Sequence, residues 1–86
     1  MQDSEIKSLI EQGIPGVNAT VQGDGSHYEA VVVGDCFEGK SMLEQQKMVY
    51  ATLNQHIKSG EIHALSIKTY TPSQWEKARQ FRVGSE

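Results

Sequence analysis

Three histidines and one cysteine are the side chains of this 86-residue sequence best suited to binding a metal ion. His63 stands directly before an alternating apolar segment, and His27 follows a glycine-rich turn. His56 lies near the end of a predicted helix, where the helix dipole favours a cation, so it has a sufficient structural role. His63 and His27 are therefore the candidates for a metal ligand or an acid–base group. For each, an exposed, hydrogen-bonded histidine without such a role is the alternative, and the more common outcome in proteins.

The cysteine content narrows the class of protein. Cys36 is the single cysteine and cannot form an internal disulfide, which excludes a disulfide scaffold and indicates a reducing compartment. A closed zinc site needs about four ligands, and the sequence has no CxxC, HxxxH or HExxH spacing. An autonomous zinc site is thus disfavoured, while an open site completed by a partner is compatible with the sequence. Asp35 and Glu38 disfavour the Cys36 thiolate, so we expect this cysteine to be inert.

Catalytic and phosphate-binding motifs are absent from the sequence. Gly23-Asp24-Gly25 has no Walker lysine and precedes a strand, so it predicts a hairpin turn. Gly13-Ile14-Pro15-Gly16 matches the GxxG pattern of KH domains, but it carries no positive charge, and a helix stop explains it fully. No Ser/His/Asp arrangement and no carboxylate pair in an apolar setting is present. We therefore expect no enzymatic activity.

The net charge and the distribution of basic residues lead to opposite expectations about nucleic-acid binding. The formal net charge is −3, which argues against a polyanion binder that acts through bulk charge. Four basic residues nevertheless cluster on the last predicted strand and helix: Lys68, Lys77, Arg79 and Arg82. They predict a modest basic face, and the alternative is an ordinary solvated surface.

The chain's length and hydropathy predict a single domain over residues 1–82, with a frayed tail at 83–86. The N-terminal residues 1–7 are polar and acidic, unlike a signal peptide. No apolar run approaches the roughly 20 residues that span a bilayer. We expect a soluble cytoplasmic protein that does not bind membranes.

A strand followed by a capped helix positions His63. Leu65 and Ile67 alternate with polar residues, as in a half-buried strand. Thr71-Pro72-Ser73-Gln74 then combines an N-cap hydroxyl, a proline at the first helical position and a glutamine three residues after the cap. The strand and the helix are therefore predicted to form one continuous unit.

The rest of the chain predicts a helix, a hairpin and a longer second helix. Residues 17–21 and 28–33 alternate as two antiparallel strands, and Phe37 is predicted to plug the core from the loop after them. The second helix begins with a capping box at residues 41–44. Its inward face is predicted to comprise Leu43, Tyr50, Leu53 and Ile57, supported by Val49. The order α-β-β-α-β-α predicts an α+β fold: a three-stranded mixed sheet with helices packed on it.

Several ordered stretches resemble the BolA family: Phe37-Glu38-Gly39-Lys40-Ser41, Gln45-Gln46-Lys47-Met48-Val49-Tyr50 and the thirteen residues from His63 to Trp75. The chain resembles in particular the small acid-stress-associated BolA-like proteins of proteobacteria, over nearly its whole length. The resemblance implies a class II KH-like fold. It also implies an adaptor that pairs with a monothiol glutaredoxin and shares a [2Fe-2S] cluster with that protein's cysteine and glutathione. The role would be iron–sulfur trafficking, iron sensing or the acid stress response, with no cofactor in the isolated chain.

The resemblance also assigns candidate ligands. It places one cluster ligand at His63 and a second in the loop between the first two strands. His27 is the candidate there, with Asp24 a weaker option because carboxylates suit iron–sulfur ligation less well.

Three other interpretations of the sequence stay open. The first is a KH-like transcriptional regulator that binds DNA through the four basic residues, although residues 45–47 carry less positive charge than the family frequently has there. The second is a metal-free adaptor that binds its partner through an exposed sheet edge. The third is a homodimer, which the sequence neither requires nor excludes.

Overall fold

A computed structural model describes the backbone of residues 1–84 and the side chains of residues 1–80, and its elements follow the predicted order. They are α1 (Asp3–Gly13), β1 (Asn18–Gly23), β2 (His27–Val33), a short 3₁₀ turn (Asp35–Phe37), α2 (Met42–Lys58), β3 (Ala64–Tyr70) and α3 (Pro72–Gly84). Of the tail predicted to fray at 83–86, residues 83 and 84 belong to α3, and residues 85 and 86 lie outside the described part. The single-domain prediction and the frayed tail stay predictions. No helix among the described residues is long and apolar enough to cross a bilayer.

The sheet has the order β1-β2-β3 and is mixed, as predicted. β1 pairs antiparallel with β2, and β3 pairs parallel with β2 through the α2 crossover. α1 and α2 pack on one face of the sheet. Trp75 of α3 borders a small depression on the opposite face, together with Thr20 and Val31. This arrangement confirms the α+β fold class.

The core lies between the sheet and the pair α1 and α2. Its fully buried large side chains are Phe37, Ile6, Ile10, Leu53, Val32 and Val49. Phe37 fills the core from the 3₁₀ turn, as predicted. Burying a side chain of this size stabilises a fold by roughly 1.5–3 kcal/mol, so these six residues make a large apolar contribution to stability.

The predicted inward face of α2 is wrong at two positions. Leu43 is 62% exposed and Tyr50 is 40% exposed, while Gln45 is only 5% exposed. The face that meets the sheet is centred on Gln45, Val49 and Leu53, which are spaced four residues apart. Successive helical residues are separated by about 100°, so Tyr50 turns away once Val49 points inward.

Gln45 is buried because its amide forms hydrogen bonds with two backbone carbonyls and one side-chain hydroxyl. Its Nε2 donates to the carbonyls of Phe37 at 3.1 Å and Lys40 at 2.9 Å, and its Oε1 accepts from the Thr69 hydroxyl at 2.6 Å. Thr69 is itself only 2% exposed. Every polar atom of the Gln45 amide that faces the interior thereby has a partner, which offsets the cost of its burial.

A second polar cluster closes the outer edge of β1. The Lys7 Nζ donates to the Ala19 carbonyl at 2.7 Å and to Glu11 Oε2 at 2.7 Å. The same Glu11 oxygen accepts from the Ala19 N–H at 3.0 Å. Both outward-facing backbone groups of Ala19 are therefore satisfied by α1 side chains. The hydrogen bond from Ala19, and secondarily Lys7, lowers the pKa of the Glu11 carboxyl.

Replacing Glu11 with alanine is expected to lower the free energy of unfolding by about 1 kcal/mol at neutral pH, because two hydrogen bonds to a partly exposed carboxylate are lost. A carboxyl with a lowered folded-state pKa stabilises the fold above its unfolded pKa, about 4.3, and that contribution disappears as the pH falls through the folded pKa. The difference from wild type should therefore shrink in acid. Urea unfolding at several pH values measures it, with Gln12→Ala as the control. A difference that stays constant down to about pH 3 would contradict the assignment.

Candidate functional site

The two candidate histidines lie at the same end of the sheet. In the parallel pairing of β2 with β3, His27 is the register partner of Ala64, the residue that follows His63. The Ala64 N–H donates to the carbonyl of Ser26 at 3.2 Å. Because parallel strands begin at a common edge, the β1–β2 turn and the residue before β3 become neighbours. The fold thus brings together two residues that are 36 positions apart in the sequence.

The turn that precedes His27 is held by Asp24. Its Oδ1 accepts from the backbone N–H groups of Ser26 at 3.0 Å and His27 at 2.8 Å. The Asp24 N–H donates to the His27 carbonyl at 3.1 Å. Gly25 adopts a φ of +98°, a conformation that a side chain would strain. The hydrogen bond from the His27 N–H, followed by that from Ser26, lowers the pKa of the Asp24 carboxyl.

These contacts separate the roles of His27 and Asp24. The Asp24 carboxylate maintains the turn, so using it as a ligand would compete with two backbone hydrogen bonds. The His27 side chain is 75% exposed, and its Nδ1 lies 3.7 Å from Asp24 Oδ2. Its Nε2 faces no partner among the described side chains. On this geometry His27 is better placed than Asp24 to bind a metal group.

His63 is exposed, but the backbone on both sides of it is anchored. The preceding residue, Ile62, is 2% exposed, and its N–H donates to the His56 carbonyl at 3.2 Å. The following residue, Ala64, donates to Ser26. The imidazole therefore projects from a short segment held at its flanks, which fixes its position without covering it.

The strand that carries His63 is braced at its far end by α3. The Thr71 hydroxyl accepts from the Gln74 N–H at 3.3 Å, and the Gln74 side chain accepts from the Thr71 N–H at 3.0 Å, as the predicted capping box requires. The rings of Tyr70 and Trp75 lie with centroids 5.3 Å apart. The predicted strand-to-helix unit is confirmed.

The other candidate ligands lie elsewhere. His56 Nδ1 lies 3.0 Å from Glu61 Oε1, and this contact is the main cause of the lowered pKa of Glu61. His56 therefore has a structural partner in Glu61, which the sequence did not predict. Cys36 is half-buried in the 3₁₀ turn, which follows the C-terminal end of β2 and lies at the opposite end of the sheet from His27.

The donor set at the histidine end is incomplete for a metal group bound by this chain alone. Among residues 1–80, no three His, Cys, Asp or Glu side chains are close enough together to hold a metal ion. Two exposed imidazoles fit a group whose remaining ligands come from a second molecule. Imidazole nitrogen is also an established ligand of iron in [2Fe-2S] centres.

The predicted basic face is only partly described. Lys68, Lys77 and Arg79 are exposed. Arg79 Nε lies 3.5 Å from Glu76 Oε1, which partly neutralises it. The side chain of Arg82 lies outside the described residues. DNA binding through these residues stays a prediction.

Comparison with known proteins identifies the relatives of this chain. The family model for BolA-like proteins matches residues 7–74. The chain is 39% identical over 80 residues to the acid stress protein IbaG of Escherichia coli, an alignment that covers 93% of this chain and 95% of that protein.

The solved structures agree with the sequence matches. A BolA protein homologue from Coxiella burnetii is 43% identical, with a TM-score of 0.80 that covers 88% of this chain and 97% of that one. The BolA domain of SufE1 from Arabidopsis thaliana is 29% identical, with a TM-score of 0.70 that covers 83% of this chain and 92% of that domain. The strand order, the capped third helix and the similarity over nearly its full length together show that this chain belongs to the BolA family.

Proposed function

We propose that this protein is a BolA-like adaptor that binds a monothiol glutaredoxin and shares a [2Fe-2S] cluster with it through His63 and His27. The observation that carries the proposal is the placement of two exposed histidines at one end of the sheet, where the described residues offer no third ligand beside them. The partner's cysteine and glutathione would complete the ligand set. The likeness to an acid stress protein supports a role in stress or iron metabolism.

The two histidines of this chain would have different roles as ligands. His63, held between two anchored neighbours, would be the fixed ligand, and His27 would be the ligand carried by the turn that Asp24 maintains. When bound, the cluster supplies a pair of irons that accept imidazole nitrogen. An imidazole is neutral as a ligand and can be released by protonation, so this half of the site suits transfer better than permanent storage.

The likeness to the BolA domain of SufE1 supports the adaptor part of the proposal. In that protein, by its name, the BolA fold is one domain of a larger chain. A small fold that is joined covalently to another domain in one relative is well suited to associating non-covalently with a partner in another.

Anaerobic reconstitution with a monothiol glutaredoxin, iron, sulfide and glutathione tests the proposal. We expect a one-to-one complex whose visible circular dichroism differs from that of the glutaredoxin homodimer, because imidazole replaces a ligand of the cluster. Size-exclusion chromatography and iron analysis give the stoichiometry. If the two proteins elute separately and the spectrum equals that of glutaredoxin alone, the proposed function is wrong.

A further inference from the structure

The two edges of the sheet differ in how their backbone groups are protected. Near the start of β1, both outward groups of Ala19 are bonded to side chains of α1. Capping backbone groups in this way hinders another strand from adding to that part of the edge. The opposite edge is β3, where, among the described residues, no outward-facing residue has both its N–H and its C=O bonded to side chains.

The hydrogen-bond pattern shows which groups of β3 face outward. The Ala64 N–H and the Tyr70 carbonyl both bond toward the β2 side, to Ser26 and Gly34. Residues alternate in a parallel ladder, so the N–H and C=O groups of Leu65, Ile67 and Thr69 point away from β2. Among the described residues, only the Ile67 carbonyl receives a bond there, from Gln46 Nε2 at a long 3.4 Å.

An apolar strip on α2 runs beside this open edge. Gln46 reaches Ile67, and Met42 Sδ accepts from the Thr69 hydroxyl at 3.6 Å, so α2 runs antiparallel to β3 along the edge. Leu43 and Tyr50 lie three residues before and four residues after Gln46, on the same side of the helix. With Met42 they are the exposed large hydrophobic residues of the described chain, at 59%, 62% and 40% for Met42, Leu43 and Tyr50.

We propose that a second copy of this chain occupies the edge, with the two β3 strands paired antiparallel about a two-fold axis at Ile67. This register places Leu65 opposite Thr69 of the partner copy. All three outward-facing residues of each strand then exchange backbone hydrogen bonds, and the two sheets become one of six strands. A two-fold interface uses the same patch on both copies, as this one does.

The same axis matches the exposed apolar residues of α2. Because Gln46 lies beside Ile67, the axis passes near Gln46 and brings Leu43 of one copy against Tyr50 of the other. The lengths agree: about 12 Å of helix separates residues 42 and 50, and about 13 Å of strand separates residues 69 and 65. Strand pairing and helix contact therefore reinforce one another in a single register.

Lys68 and the described side chains of α3 leave this arrangement free. On the opposite face, Lys68 falls opposite Ser66 of the partner copy, so the two lysines do not meet. α3 leaves β3 after Thr71, and its Trp75 packs toward Val31 in the middle of the sheet, away from the edge. The paired residues 65–69 exclude both histidines, so the proposal goes beyond the proposed function and does not depend on it.

Sedimentation equilibrium across a concentration series tests the dimer. We expect wild type to shift from monomer to dimer with a dissociation constant in the micromolar range, around 10–100 µM, about −6 to −7 kcal/mol. Leu43→Glu and Tyr50→Glu should each weaken it at least about tenfold, because a charge would be buried against the partner. Gln55→Glu adds the same charge on the other side of α2 and should have no effect. A wild type that stays monomeric at about 1 mM overturns the proposal. That is the result expected if the edge instead receives a different protein.

Cross-linking tests the register itself. In a Cys36→Ser background, Leu43→Cys and Tyr50→Cys variants are oxidised separately and as a mixture. The mixture should form a disulfide-linked dimer at least about tenfold faster than either variant alone, because the proposed axis joins position 43 only to position 50. Equal rates in all three samples would overturn the register. Neither variant changes a histidine, so neither outcome bears on the proposed glutaredoxin adaptor, which the reconstitution experiment tests separately.

Discussion

Replacing His63 with alanine is expected to abolish the distinctive visible circular dichroism of the complex with glutaredoxin and to shorten the lifetime of its cluster by at least about tenfold. Loss of a residue that merely orients a ligand costs 10–100-fold in metal affinity, and loss of a ligand costs no less. The effect should be local, because His63 is exposed and its position is fixed by Ile62 and Ala64 rather than by its own side chain.

The fold provides a matched control for this substitution. His56 is also a histidine outside the core, but its ring is engaged with Glu61 and it does not lie at the shared end of the sheet. His56→Ala should leave the spectrum of the complex unchanged. His27→Ala should have an intermediate effect, since the turn that carries it is held by Asp24 and survives the change.

A binding measurement with the cluster-free proteins distinguishes a role of His63 in cluster ligation from a role in docking. The dissociation constant of cluster-free glutaredoxin for His63→Ala should stay within about threefold of that for wild type, a difference under 1 kcal/mol. Calorimetry or NMR shifts measure it. A spectrum of the reconstituted His63→Ala complex that matches wild type would show that this histidine is not a ligand. Loss of apo binding together with the cluster would assign the histidine to docking instead.

The sequence was sufficient for those parts of the fold that depend on local pattern. Alternation predicted the strands, and hydroxyl caps with their paired glutamate or glutamine predicted where α2 and α3 begin. The helix between β2 and β3 permitted their parallel pairing but did not require it. That pairing is what carries His27 to His63, so the proximity of the two residues was compatible with the order of elements, and their contacts with Asp24 and Ser26 were not predicted.

The sequence was insufficient where burial depends on a partner from another segment. Hydrophobicity alone placed Leu43 and Tyr50 inward and gave no reason to bury Gln45. In the structure, Gln45 meets two carbonyls left open by the 3₁₀ turn and the hydroxyl of Thr69. A buried glutamine is stable only where such partners converge, and their convergence is a property of the tertiary fold.

The unprotected edge of β3 shows the same limit. Whether a strand lies at an edge depends on the strand order, which the chain's local pattern does not specify. The exposed residues of α2 were predicted to be core because they are apolar and helically spaced. The structure replaces that interpretation with a surface, and the surface lies beside the part of β3 whose outward backbone groups have few partners among the described residues.

The largest effect on stability is expected from Gln45→Leu, which should lower the free energy of unfolding by about 2–4 kcal/mol. Leucine has a similar volume but offers no hydrogen bonds, so the carbonyls of Phe37 and Lys40 and the hydroxyl of Thr69 lose their partner. Each buried group left unpaired costs about 1–3 kcal/mol, and Met42 Sδ near the Thr69 hydroxyl recovers part of the loss. A domain of this size has a total stability of only about 4–13 kcal/mol.

A double-mutant cycle makes this prediction specific to the network. Thr69→Val alone leaves the Gln45 Oε1 unpaired and should cost about 1–2 kcal/mol. The double variant Gln45→Leu/Thr69→Val should lose about 1 kcal/mol less free energy of unfolding than the two single variants lose in total. The reason is that the hydroxyl left unpaired by Gln45→Leu is then removed. Gln55→Leu, on the exposed side of the same helix, controls for the change of residue type. Urea denaturation measures all four variants, and strictly additive costs would show that Gln45 and Thr69 do not depend on each other.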